Sequence, residues 1–404
     1  MATLRPFRAL RPPPDRALRV AAPPYDVVNT REARALAKGN ADSYLHVSRP
    51  EIDLPEGVDE HADAVYAKGA ENLADFLRRG VLRRDAEPHF YVYAQRMGNH
   101  RQVGLVACAS VAEYDGDVIK KHEKTRPDKE DDRTRHIDAL GAHDEPVFLT
   151  YRAMPAIDAA VEAATRAPAE YEFATADGVE HRLWVASAQA GRAIEHLFGS
   201  VPALYVADGH HRSAAASRVH ALRREKPGEH GAFLAVVFPH DQMQILAYNR
   251  LVRDGRRRSP GELQAALSGA LELSPAEAPQ PARPLSFGVY CGGRWWSGRV
   301  REGSFDARDP VASLDCSILQ DQVLGPIFGI ADPRRDRNVD FVGGIRGAPE
   351  LERRVQEEGW DVAFHLYPTR IDQLLAVSDA GLLMPPKSTW FEPKLRSGLF
   401  VHPF

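Results

Sequence analysis

The stretch Tyr205-Val206-Ala207-Asp208-Gly209-His210-His211-Arg212-Ser213 decides how the chain reads. An apolar run from Ala203 to Val206 enters it, and an alanine-rich segment from Ala214 to Arg224 leaves it. That pattern predicts strand, tight turn, helix. Gly209 permits the sharp turn, and Ser213 with the last turn residues is expected to cap the orphan N–H groups of the helix start. Such a start collects anions, because its donors and the positive end of the helix dipole point the same way. Arg212 adds a planar fork suited to phosphate or carboxylate. Two adjacent imidazoles and the Asp208 carboxylate complete a set able to handle protons, phosphate or a metal. The plainer reading is a surface turn whose polar side chains cap a helix.

Composition sets the frame. A chain of 404 residues predicts two or three lobes and a substantial core. Hydrophobic content of 44% and charged content of 27% predict a folded globular protein. The formal net charge of -4 makes no electrostatic case for a nucleic-acid partner. The cysteines, Cys108, Cys291 and Cys316, form no Cys-x-x-Cys pair, which argues against a disulfide framework or a thiolate zinc site. No signal-peptide core and no membrane-length apolar run is apparent, so a cytoplasmic protein without a membrane partner is expected. Oligomeric state is not readable.

Working outward, Pro23-Pro24-Tyr25-Asp26 predicts a stiff extended loop, either a packed arm or part of a site. Helices are expected over 32–38 and 61–79, and hairpins around Gly98-Asn99, Asp177-Gly178, His240-Asp241 and Gly292-Gly293. Expected lobes are 1–112, a core at 113–253 carrying the turn, and 254–404 with a closing tail. Counting several hairpins and few βαβ units, the fold class is α/β (α+β), with mixed, largely antiparallel sheets.

Two other stretches carry candidate chemistry. Residues 117–138 mix both charge signs and read as a solvated helix or mobile loop. The alternative is a wall of phosphate ligands (Lys120, Lys121, Lys124, Arg126, Arg133) with His122 or Glu123 as proton acceptor. His122-Glu123-Lys124-Thr125-Arg126 starts like a zinc-protease helix, but Arg126 stands at the second ligand position, so that reading fails. In the tail, Pro385-Pro386-Lys387-Ser388-Thr389 ends like a Walker A loop without its glycines, so no P-loop forms. It is either a packed tail or a flap in which Lys387, Ser388, Thr389 and Lys394 close over a phosphorylated ligand.

With Asp-Gly-His-His-Arg at 208–212, His-Glu-Lys-Thr at 122–125, Pro-Pro-Tyr-Asp at 23–26 and the Pro-Pro-Lys-Ser-Thr tail, the chain resembles a bacterial and archaeal family, domain of unknown function 1015, over nearly its full length. The central turn is also similar to the nucleotide-binding turn of the ParB/sulfiredoxin superfamily, which implies a core of that type with additional lobes. Sulfiredoxins place a nucleophilic Cys where this chain has His210, so sulfinic-acid reduction is disfavoured. Partition proteins carry a helix-turn-helix that is not found here. Free-serine kinases of the superfamily have a turn similar to 208–212.

The resemblance implies a nucleotide-dependent phosphotransferase acting on serine or phosphoserine, in either direction, with ATP or ADP and Mg²⁺. Its expected nucleotide-phosphate ligands are Gly209, His210, His211, Arg212 and Ser213. Asp208 would hold the metal or orient an imidazole. Glu123, Asp208 and His210 are the expected catalytic groups. His122, Thr125, Arg126, Lys387, Ser388 and Thr389 are expected around the substrate. The alternatives are a nucleotide-binding regulatory module and a hydrolase with a metal on Asp208, His210 and His211.

Overall fold

The computed structural model describes residues 1–404. The chain folds into two units. The first comprises residues 1–121, 125–243 and 393–404, and the second 122–124 and 244–392. The expected lobe boundary after residue 112 falls inside the short helix Val111–Asp115.

The first unit is built on a nine-stranded mixed sheet. Its strands are β1 (Leu4–Arg5), β2 (Tyr91–Met97), β3 (His100–Ser110), β4 (Ile119–Lys120), β5 (Val147–Tyr151), β6 (Tyr171–Ala174), β7 (Val179–Val185), β8 (Leu204–Asp208) and β9 (Ala232–Pro239). Their spatial order is β4-β8-β5-β9-β3-β2-β7-β6, with β1 beside the far end of β3. The pairs β4/β8 and β5/β9 are parallel and the rest antiparallel. The β2–β3 hairpin turns at Gly98-Asn99 and the β6–β7 hairpin at Asp177-Gly178, where the turn residues are placed in the sequence.

Central β3, β5, β8 and β9 are buried on both faces, which is why they read as continuous runs rather than alternating ones. Ile157, Val161, Ile194 and Phe198, from helices Pro155–Ala164 and Ala188–Phe198, join the main core with Leu105, Leu149, Val206 and Val237. Helix α1 (Asp63–Arg78) sends Leu73 and Phe76 into a second cluster with Tyr44, Leu45 and Val401. Helix α2 (Pro127–Leu140) puts Ile137 against Ala215 and Val219 of α3 (His210–Leu222).

The charged stretch 117–138 is therefore in large part an ordered helix. Its ion pairs include a local one, Arg126 with Asp128, and others that reach α1 and α3, Arg135 with Asp63 and Arg218 with Asp131.

The second unit carries a six-stranded, wholly antiparallel sheet. It contains β10 (Tyr248–Val252), β11 (Leu271–Pro275), β12 (Ser286–Cys291), β13 (Arg294–Val300), β14 (Val339–Gly343) and β15 (Val362–Leu366), in the order β11-β13-β12-β15-β10-β14. Leu251, Tyr290, Leu351, Trp360 and Ala363 form its core. One expected hairpin is corrected. The strand after His240-Asp241 does not fold back on β9; Gln244–Leu246 pairs instead with Trp390–Glu392. Pro239 closes β9 and a single 3-10 turn follows it, too open for a two-residue hairpin. No helix is long and apolar enough to cross a membrane.

Candidate phosphate-binding turn

Strand β8 delivers Asp208 to the start of α3. Against β5, Val206 faces Leu149 and Asp208 faces Phe148, so Ala207 is an extra residue in the ladder. Such a bulge re-aims the residue that follows it. Gly209 then takes φ 97° and ψ 29°, and a Cβ there would lie 3.1 Å from Arg212 Nε and 3.2 Å from its Cζ. Both backbone and packing demand glycine. No side chain caps α3, so the amides of its first turn have no intrahelical acceptor.

Ser213 is corrected from its expected role. It is fully buried, and its hydroxyl donates to the carbonyls of Gly209 at 3.2 Å and His210 at 3.1 Å. That back-bonding is a common use of serine inside a helix, and it turns the hydroxyl away from an arriving anion.

Around the turn, charge is closely balanced. Asp208 Oδ1 accepts the Gly209 amide at 2.9 Å, and Lys394 Nζ lies 3.0 Å from Oδ2. Burial alone would raise the Asp208 carboxyl; Lys394 and Arg212 outweigh it and hold it well below the usual carboxylate range. Arg212 is 6% exposed, donates through Nη1 to the Pro146 carbonyl, and leaves its buried Nε without an acceptor. Burial works against its charge, while Asp26, Glu145, Asp208 and Tyr25 favour it. Of these, Asp26 is exposed, on the proline-stiffened loop.

Glu145 was not visible as a site residue in the sequence. It is 5% exposed, and its Oε1 accepts the Tyr25 amide at 3.0 Å and the Ser397 hydroxyl at 2.7 Å. Burial first, then the Asp144 charge, pushes its carboxyl up to about 7. Asp144 itself is held low by His136, 3.1 Å away, and Arg133, against the effect of burial. Arg133 lies 3.9 Å over the Tyr25 ring and pairs with Asp132 at 2.8 Å. Adjacent acids in Asp144-Glu145-Pro146 were the only local hint, since the partners lie at 25, 136, 212 and 397.

The other expected residues divide between the units. In the first, His211 Nε2 accepts the Arg126 amide at 3.1 Å, Arg126 itself pairs with Asp128 at 2.8 Å, and Thr125 bonds Glu130. Lys121 is tied to Asp117 at 2.7 Å and to the Tyr114 carbonyl at 2.8 Å, so it serves its own loop rather than the turn. Lys120 lies 5.8 Å from the Tyr205 ring centroid. His210 is buried at the head of α3.

His122, Glu123, Lys124, Lys387, Ser388 and Thr389 belong to the second unit, where the His122 carbonyl accepts the Met384 amide at 2.8 Å. A three-ligand metal site on Asp208, His210 and His211 finds no support. Asp208 Oδ2 is on Lys394 and His211 Nε2 is on a backbone amide. A hard cation would compete with Lys394 for the same Asp208 oxygen; the carboxylate is partly exposed, and carboxylate, phosphate oxygens and water are the ligand types Mg²⁺ takes.

Residues 4–317 match the family model described as protein of unknown function (DUF1015). No curated protein matches the chain in sequence. Among solved structures, a mutant free serine kinase in complex with AMP aligns at 12% identity and TM-score 0.37, over 70% of this chain and 90% of that one. A free serine kinase mutant in complex with ADP aligns at 12% identity and TM-score 0.36, with the same coverages, 70% and 90%. C-terminally truncated SbnI from Staphylococcus aureus aligns at 15% identity and TM-score 0.38, over 74% of this chain and 87% of that one.

Proposed function

The chain belongs to the DUF1015 family, and from that premise we propose that it is a nucleotide-dependent phosphotransferase acting on the hydroxyl of a small amino acid, serine or phosphoserine. The observation that supports this reading is the uncapped start of α3, opened by Gly209 and flanked by Asp208, Lys394 and Arg212. Phosphoryl transfer asks the protein chiefly for positioned donors and charge, and those are what the turn offers.

In this reading the first-turn amides of α3 and the Lys394 ammonium receive the nucleotide phosphates. Arg212, with its unused Nε and its carbonyl anchor on Pro146, fixes the geometry of the turn. A Mg²⁺ carried by the nucleotide would neutralise phosphate charge, with Asp208 as its protein ligand. In the forward direction the serine Oγ bonds to the terminal phosphorus, and the bond from that phosphorus to its bridging oxygen breaks. The nucleotide leaves with the electron pair, and a carboxylate takes the serine proton. Asp26, exposed and within electrostatic reach of Arg212, is the first-unit carboxylate suited to that proton. Glu123 and His210 are separate proposals for the same step, each tested by its own substitution, Glu123→Gln and His210→Ala.

Phosphate exchange tests the reading. Purified protein with Mg²⁺ is given ATP or ADP plus serine, and in a second arm AMP or ADP plus phosphoserine, beside Arg212→Ala. Transfer in the wild type that is lost in Arg212→Ala supports the phosphotransferase. Absence of transfer with nucleotide still bound by calorimetry would instead favour a nucleotide-binding regulatory module.

A further inference from the structure

His143 and His402 stand opposite each other in a short antiparallel ladder between Ala142–His143 and His402–Pro403, both in the first unit. Side chains directly opposed in such a ladder share one face, with Cβ atoms about 5 Å apart. The two rings lie 5.8 Å apart between centroids and within 9° of parallel. Both residues are buried, His143 at 3% and His402 at 1% exposure. Each leaves one ring nitrogen without a hydrogen-bond partner, Nε2 of His143 and Nδ1 of His402.

The other edge of each ring sets its tautomer. His402 Nε2 lies 3.0 Å from Glu229 Oε2, and that bond is the first cause holding the Glu229 carboxyl below its usual range. An ionised carboxylate only accepts, so Nε2 carries the proton and Nδ1 is a bare lone pair. His143 bonds the Ala232 backbone, whose carbonyl takes the ring N–H and leaves Nε2 bare. Burial, with His402 beside it, pushes the His143 imidazole down to about 3, so at neutral pH it keeps that lone pair.

Two buried acceptors without a donor are costly. The neighbouring His230 spends both its nitrogens elsewhere, Nδ1 on His220 and Nε2 on the Lys226 carbonyl, each at 2.9 Å. A water between the two rings would donate to both nitrogens, but the Phe7 and Phe404 rings that pack on the pair offer its oxygen no donor. A buried water ordinarily makes about three hydrogen bonds.

A metal ion suits the pair better. Ligating histidines give their second nitrogen to a carboxylate or a backbone carbonyl, and those are the partners of His402 and His143. No third histidine, cysteine or carboxylate lies close enough to share an ion with them, which disfavours four-coordinate zinc. Monovalent copper accepts two nitrogen donors, imidazole is among the ligands copper takes, and the Glu229 carboxylate matches its single charge.

We propose that His143 Nε2 and His402 Nδ1 form a two-coordinate copper(I) site, with Glu229 as a positioning residue behind His402. The ion would tie the C-terminal segment, which also carries Lys394, to the strand at 142–143. The proposal does not depend on the phosphate chemistry.

Anaerobic titration of the reduced full chain with copper(I), against a chromophoric chelator, tests it. One tightly held equivalent is expected, with X-ray absorption showing nitrogen ligands alone. His143→Phe and His402→Phe each keep a ring and remove a lone pair, and each should lose that equivalent. Glu229→Gln, at a side chain that is 66% exposed, should weaken binding by roughly 10- to 100-fold. No tight copper, sulfur ligation from Cys108, Cys291 or Cys316, or binding undiminished in the histidine variants would overturn the site and assign the pair to a buried water. Unchanged affinity in Glu229→Gln would overturn its positioning role and, should the histidine variants not fold, the site as well.

Discussion

Lys394 Nζ lies 3.0 Å from Asp208 Oδ2, across 186 positions of sequence. The pair joins the C-terminal segment to the end of β8 at the mouth of the candidate phosphate-binding turn. Lys394→Met removes a charged hydrogen bond from a mostly buried carboxylate and is expected to cost about 2 kcal/mol. The folded carboxyl titrates below its unfolded value, so this stabilisation is complete above roughly pH 4 and is lost as pH falls through the folded value. Urea titrations of wild type and Lys394→Met should differ at pH 7 and converge in acid. An unchanged gap at low pH would mean that the lysine stabilises by packing instead.

Glu145 predicts the opposite dependence. Its carboxyl is raised to about 7 in the fold by burial and Asp144, so the native state holds a proton that the unfolded chain releases from about pH 4 upward. Stability therefore falls as pH rises from 4 towards 7, and the whole cost is present above 7. Glu145→Gln keeps an oxygen for the Tyr25 amide and the Ser397 hydroxyl but cannot ionise. Its Tm should exceed that of wild type by several degrees at pH 8 and match it near pH 5. Parallel profiles would show that Glu145 does not carry the dependence.

Gly209→Ala puts a side chain at φ 97° and its Cβ against the Arg212 guanidinium. A cost of about 1–2 kcal/mol is expected from the backbone alone. Displacement of Arg212 should also weaken AMP or ADP binding measured by calorimetry. Binding at wild-type strength in a folded Gly209→Ala protein would count against the turn as the nucleotide site.

Gly104 tests the sheet itself. It sits in β3, and a Cβ there would lie 2.7 Å from the Phe238 ring of β9. Gly104→Ala should cost about 2 kcal/mol by overpacking, read as a lower urea midpoint with an unchanged slope. A neutral substitution would contradict the β3/β9 register.

Much of the fold was legible because its signals are local. Gly98-Asn99, Asp177-Gly178 and Gly292-Gly293 each sit between strands of the right length, and turn chemistry acts over neighbouring residues. The exception, His240-Asp241, shows the limit: Gln244–Leu246 is a strand in its own right, but its partner is Trp390–Glu392, which no local pattern names. In the site, Gly209 and Arg212 were readable from the strand-turn-helix pattern. Ser213 was misread because a serine near a helix start can serve the helix's own carbonyls as well as its amides.

By itself, then, the sequence determined the strand-turn-helix at 203–224, the glycine within it and a surplus of groups suited to phosphate. Backbone preference and apolar periodicity act within a few residues and need no tertiary context. Only the tertiary structure decided which charges meet: Lys394 on Asp208, and Glu145 between Tyr25 and Ser397. Charges on the chain carry no address until packing removes water and brings distant segments within a few ångströms. There, burial penalises each unpaired charge and makes partners of residues hundreds of positions apart.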